Sequence, residues 1–162
     1  MPKTASALYT IVHPAPAAIL APLGRAPLVS YWKNFLLEFQ VQAHPLGTGP
    51  TWAGWDLTLR KGLPNGDIVA LDEEGADLVL AERISGNWFM RGQYAVTWQA
   101  NRWYTIRVKL QNASITVWLD GTQVLSYASL TVQTPGYLLF DDALAMDGGH
   151  RTYRVTRCEV LP

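Results

Sequence analysis

The stretch Trp103–Leu125, WYTIRVKLQNASITVWLDGTQVL, reads as most of a three-stranded antiparallel meander. Tyr104, Ile106, Val108 and Leu110 alternate with Thr105, Arg107, Lys109 and Gln111, the period-two pattern of a strand with one buried face. After Asn112-Ala113 the alternation resumes with Ile115, Val117 and Leu119 against Ser114, Thr116 and Trp118. Asp120-Gly121 follows, a dipeptide that tolerates positive φ at both turn positions and so favours a tight hairpin. Two-residue turns at both places predict a register in which Leu110 faces Ile115, Val108 faces Val117, and Val117 faces Val124. One face of the meander is then aliphatic throughout. The other carries Arg107, Trp118 and Gln123 side by side.

Upstream, Phe35, Leu37, Phe39 and Val41 alternate with Leu36, Glu38, Gln40 and Gln42. Short apolar runs then recur between turn formers: Trp55–Leu59, Ile68–Leu71, Leu78–Leu80, Trp88–Arg91 and Tyr94–Trp98. After the meander come Tyr137–Phe140, a loop over Asp141–Gly149, and a last strand over Tyr153–Leu161. Such spacing is that of an all-β sandwich, and no segment holds a 3.6-residue period over ten positions. Residues 1–30 differ. Prolines at 14, 16, 22 and 27 exclude a helix or central strand there, which leaves an extended apolar arm ahead of a domain over 31–162. The arm has two open readings: an edge strand on its own sandwich, or a device that docks on a neighbouring subunit and makes a homo-oligomer.

The totals bound the function classes. A chain of 162 residues, 49% hydrophobic and 16% charged, is long enough for a real core and too apolar for disorder. Thirteen basic residues balance thirteen acidic ones, so the formal net charge is +0 and the basic excess of a nucleic-acid binder is missing. No run of 18 apolar residues marks a membrane span, and the proline-broken start is a poor export signal. The expectation is a chain made in the cytoplasm. Cys158 is the single cysteine, read as a small core residue; Asn112-Ala113-Ser114 matches a glycosylation sequon but is read as a hairpin turn.

Trp103-Tyr-Thr-Ile-Arg-Val, Ile115-Thr-Val-Trp-Leu-Asp-Gly, Gly136-Tyr-Leu-Leu-Phe and Tyr153-Arg-Val-Thr-Arg-Cys-Glu-Val together resemble the C-terminal half of the concanavalin A-like lectin/glucanase superfamily. Phe35–Ala43 is similar to an early strand of that fold, so the resemblance spans roughly residues 34–162. Laminin G-like modules and 3-keto-disaccharide hydrolase-like domains belong to the same superfamily. The resemblance implies a two-sheet antiparallel jelly roll, and it leaves function open because many activities share the fold.

Chemistry is sparser than fold. Glycoside hydrolysis needs two carboxylates flanking the scissile bond, and the Glu-x-Asp-x-x-Glu run of the superfamily's glucanases does not occur in this chain. The cluster Asp72-Glu73-Glu74-Gly75-Ala76-Asp77 is assigned to a solvated turn. Asp141, Asp142 and Asp147 form a weak calcium candidate, oxygen ligands suited to a hard ion; otherwise no metal or cofactor is expected. His13, His44 and His150 are scattered.

Tryptophan is the informative excess, at seven residues. Flat aromatic rings take the apolar face of a sugar ring, with amide and guanidinium groups for its hydroxyls. The candidate glycan-binding set is Trp52, Trp55, Arg107, Trp118 and Gln123. The alternative is that these rings are structural, with Arg107 stacked on Trp118 as a plain cation–π pair. The expectation is therefore a non-catalytic, lectin-like surface or assembly subunit, such as a phage capsid-decoration or tail protein exposed on the virion. A free-standing carbohydrate-binding module and a glycoside-processing enzyme are the rivals.

Overall fold

The fold follows from a computed structural model, which describes residues 7–12, 18–19, 33–44, 56–61, 66–74, 77–141 and 150–162. Those residues form twelve strands and no helix. They run β1 (Ala7–Val12), β2 (Ala18–Ile19), β3 (Phe35–His44), β4 (Asp56–Lys61), β5 (Ile68–Glu74), β6 (Asp77–Ile84), β7 (Asn87–Ala95), β8 (Tyr104–Gln111), β9 (Ser114–Leu119), β10 (Thr122–Tyr127), β11 (Tyr137–Asp141) and β12 (His150–Val160). Two six-stranded sheets result, ordered β1-β12-β3-β8-β9-β10 and β2-β11-β4-β5-β6-β7, with all pairings antiparallel. This is the all-β sandwich that the alternation implies and the two-sheet jelly roll that the resemblance implies.

The first sheet is built on β3, whose inner residues Phe35, Leu37, Phe39 and Val41 are all but sealed from solvent. Opposite them in register stand Leu110, Val108, Ile106 and Tyr104 of β8. Leu110 pairs with Ile115 and Val108 with Val117, as the two-residue turn at Asn112-Ala113 requires. One expected pair differs. Val117 faces Leu125 rather than Val124, because the β9–β10 ladder shifts between Gln123 and Leu125 and leaves Val124 as an extra, bulged residue.

Turn chemistry closes the hairpins. Ser85-Gly86 and Asp120-Gly121 each place both residues at positive φ (50° and 83°; 47° and 85°), the geometry that matches the twist of the flanking strands. The Asp120 carboxylate also accepts the Thr105 backbone N–H at 2.8 Å and an Arg102 guanidinium N–H at 2.9 Å. Asp120→Ala is therefore expected to destabilise the fold by about 1–2 kcal/mol, from strain at positive φ and a lost hydrogen bond. Asp120→Asn, which tolerates that φ and keeps an acceptor, should cost distinctly less. Urea midpoints of the two variants check the ranking, and equal midpoints would refute it.

Two other expectations change. Trp88–Arg91 and Tyr94–Trp98 are not separate strands. A single strand, β7, runs from Asn87 to Ala95, and Trp98 lies beyond it, buried edge-on against Tyr104 with ring centroids 4.8 Å apart. The acidic cluster at 72–77 is not all turn, since β5 continues through Glu74 and β6 begins at Asp77. As to the N-terminal segment, β1 lies antiparallel on β12 and β2 on β11, so each adds an edge strand to one sheet of its own chain.

Candidate functional site

The two sheets offer different outer surfaces. In β6, Leu78 and Leu80 are fully buried, and Val79 and Ala81, which alternate with them, are nearly so at 5% and 8% exposure. In β5, Ile68 and Ala70 are likewise as closed as Val69 and Leu71. Both faces of these strands are shut off from water. On β8 and β9 of the other sheet, burial alternates residue by residue, and the polar set is open. Among the described residues, the outer side of β12-β3-β8-β9-β10 is an accessible face that spans several adjacent strands, whereas on the other sheet exposure is concentrated on β7 at its edge.

A row of side chains crosses that face. Glu38 pairs with Arg107, Arg107 with Trp118, and Trp118 with Gln123, one residue from each of β3, β8, β9 and β10. Directly opposed residues on an antiparallel pair share a face with Cβ atoms about 4.5–5.5 Å apart. The Arg107 guanidinium carbon lies 5.7 Å from the Trp118 ring centroid, and its Nε is 3.5 Å from a Glu38 carboxylate oxygen. The other Glu38 oxygen accepts the Thr156 hydroxyl at 2.9 Å. Trp118 is thus held half-buried by its neighbours, with its orientation limited before any ligand arrives.

Beside this row the face sinks into a depression of about 250 Å³ lined by Lys109, Gln111, Asn112, Ser114 and Thr116. Every lining group is a hydrogen-bond donor or acceptor. The depression adjoins the aromatic row because Lys109 and Thr116 pair one step along from Arg107 and Trp118. On the other side of the row, Arg154 sits 4.7 Å above the Trp103 ring and donates to the Gln40 side chain at 3.2 Å. The face therefore combines a partly exposed indole, amide and hydroxyl groups, and guanidinium groups already held in place. Flat rings bordered by oriented polar groups are suited to polyhydroxylated ligands.

Arg107, Trp118 and Gln123 of the sequence-derived set are brought together in this row. Trp52 and Trp55 lie outside the described residues, as do Asp142 and Asp147 of the calcium candidate. Asp141 ends β11, and its side chain is not described. Among the described residues no three His, Cys, Asp or Glu side chains converge in a group fit to hold a metal ion. Glu38 and the Lys109–Thr116 depression were missed from sequence. The signal was partly there: Lys109, Gln111, Ser114 and Thr116 share the outward parity of Arg107 and Trp118. Glu38 belongs with them only through the β3–β8 pairing, which joins positions far apart in the chain.

A second concavity, a cleft of about 320 Å³, opens at the other end of β8. Tyr94, Tyr104, Leu119 and Val124 line it together with the ion-paired Arg102 and Asp120. Arg102 also lies 4.5 Å over the Tyr104 ring, so its charge is occupied twice within the fold.

No family model matches the chain, and no curated protein sequence matches it either. Solved structures do. The carbohydrate-binding module CBM66 from Bacillus subtilis superposes with a TM-score of 0.63 at 12% identity, over 80% of this chain and 77% of that one. The galectin LEC-6 of Caenorhabditis elegans gives 0.61 at 14% identity, over 94% and 96%. A Bacillus licheniformis beta-glucanase gives 0.58 at 16% identity, over 83% and 69%. At these identities the likeness is one of fold: the chain has the concanavalin A-like jelly roll shared by lectins and glucanases.

Proposed function

We propose that this protein is a non-catalytic glycan-binding module, with its site on the open face formed by Glu38, Arg107, Trp118 and Gln123 and the adjoining Lys109–Thr116 depression. The observation that carries this reading is the oriented Trp118 ring, bordered by hydrogen-bonding groups on the accessible sheet face. Its fold is also that of the carbohydrate-binding module and the galectin described above. The non-catalytic part rests on the two carboxylates that the described residues place on this face. Glu38 is held by Arg107 and Thr156, and Glu159 by Arg157 at 2.6 Å, so neither stands free toward a ligand.

A glycan array on the purified chain, followed by titration of the best ligand, tests the reading. Trp118→Ala should weaken binding at least about tenfold, roughly 1.4 kcal/mol, while the far-ultraviolet circular dichroism stays unchanged. Undiminished binding in that variant would remove the site from this face. Hydrolysis of a bound glycoside that disappears in Glu38→Gln would overturn the non-catalytic reading and favour a glycoside-processing enzyme.

A second reading, a surface subunit of a larger assembly such as a virion, is favoured by one feature: the apolar side chains exposed along β7. Under it, substitutions on β7 change the assembly state while Trp118→Ala does not.

A further inference from the structure

Among the described residues, β7 is an edge strand, paired with β6 on one side only. Sheet edges of natural proteins are protected by charge, proline or irregularity, because their unpaired N–H and C=O groups otherwise recruit another strand. The β10 edge of the companion sheet follows that rule through its bulge at Val124, and its exposed residues Thr122, Gln123 and Ser126 are polar. β7 departs from it: Trp88 is 55% exposed, Phe89 43%, Met90 61% and Tyr94 40%. The ladder irregularity of β7 falls at Arg91, between the pairs Ala81–Met90 and Leu80–Gly92, which leaves Asn87–Met90 regular. That regular stretch carries no charge.

We propose that β7 is a self-association edge, and that its occupant is β7 of a second copy of this chain, paired antiparallel about a two-fold axis at Phe89. Three observations favour a second copy over an unrelated strand. In that register Trp88 stands opposite the partner's Met90. Both belong to one face, because they pair with Arg83 and Ala81 of β6, so indole and thioether meet in the contact that each prefers. Phe89, on the other face, meets its own symmetry mate. Charges also fit: Arg91 falls opposite the uncharged Asn87, and its guanidinium already binds the buried Glu82 carboxylate at 2.7 Å. A chain of formal net charge +0 adds no long-range repulsion between copies. The exposed parts of the three side chains in this register, Trp88, Phe89 and Met90, amount to roughly 100 Å² each. With the strand backbone, that places the interface near the low end of specific contacts, a reversible dimer rather than an obligate one. This inference does not depend on the glycan reading, since the Trp118 face lies on the other sheet.

Sedimentation velocity of the full chain over a dilution series, up to about 100 µM, gives the first answer. The expected result is a dimer at the upper end that dissociates on dilution. Met90→Lys and Trp88→Lys should each be monomeric at every concentration with unchanged thermal unfolding, whereas Gln123→Lys on the β10 edge should dimerise like the parent. A second measurement holds even if a lysine variant folds poorly. Phe89→Cys in a Cys158→Ala background should form a disulfide-linked dimer on mild oxidation, because residues facing each other across an antiparallel pair lie within disulfide reach. Ser126→Cys in the same background should not. A parent chain that is monomeric throughout, or a dimer that survives both lysine substitutions, overturns the proposal. So does failure of Phe89→Cys to cross-link in a chain that does dimerise.

Discussion

Replacing Arg60 with alanine is expected to cost about 3–5 kcal/mol of folding stability, among the largest losses for any single substitution in this protein. Its side chain is fully buried and donates to three backbone carbonyls from three separate segments. These are Lys33 ahead of β3 (Nε, 3.0 Å), Asn112 in the β8–β9 turn (Nη2, 2.9 Å) and Val132 in the loop after β10 (Nη1, 2.6 Å). Glu82, equally buried, takes the other half of the same loop residue, accepting the Val132 N–H at 2.7 Å. A guanidinium and a carboxylate thus grip both backbone groups of Val132 and close one side of the sandwich. Burial pushes the Arg60 guanidinium down to about 10, against the opposing pull of the Glu82 charge, so it remains charged at neutral pH. Alanine would strand three acceptors in a water-poor interior and remove the charge that faces Glu82. Urea unfolding of Arg60→Ala measures the loss, and hydrogen exchange at the Val132 amide should accelerate with it. A loss under about 1 kcal/mol would mean that the loop finds other partners.

The second large effect sets two phenylalanines apart. Phe39→Ala should destabilise by about 3–5 kcal/mol, whereas Phe89→Ala should stay within about 1 kcal/mol. Phe39 has no exposed surface and sits mid-sheet, paired with Val155 on one side and Ile106 on the other, so truncation leaves a cavity that neither ladder can collapse to fill. Phe89 is 43% exposed at a sheet edge. Unfolding midpoints under dilute conditions, below the concentration at which copies associate, give the comparison. Similar losses for the two would contradict the burial that the fold assigns to them.

From the sequence alone Phe39 and Phe89 look alike, each an aromatic residue in a run read as a strand, and this marks where sequence reading stops. The meander was legible because its information is local. Period-two alternation and two turn dipeptides, at most a few residues from the strands they join, settle Leu110–Ile115 and Val108–Val117 without help from the rest of the chain. The Arg107–Trp118 pair was legible for the same reason, being a cross-strand neighbour in one hairpin.

What the tertiary structure decided is where alternation breaks and which surfaces meet water. Leu57 and Leu59 suggest by parity that Arg60 faces outward. Instead the β4–β5 ladder shifts between Thr58 and Arg60, and the extra residue turns Arg60 inward opposite Val69. A similar shift displaces Val124 and gives its place opposite Val117 to Leu125. A bulge depends on how two strands fit together, so neither strand's own sequence announces it. Nor does alternation say which sheet face stays open, because Val79, Ala81 and Ala70 are buried although they alternate with the inward Leu78, Leu80 and Leu71. Local sequence determined the strands, the turns and the one polar face of the meander. Long-range pairing alone drew Glu38 to Arg107, buried Arg60 with Glu82, and left the aromatic edge of β7 exposed, because each depends on which strands become neighbours.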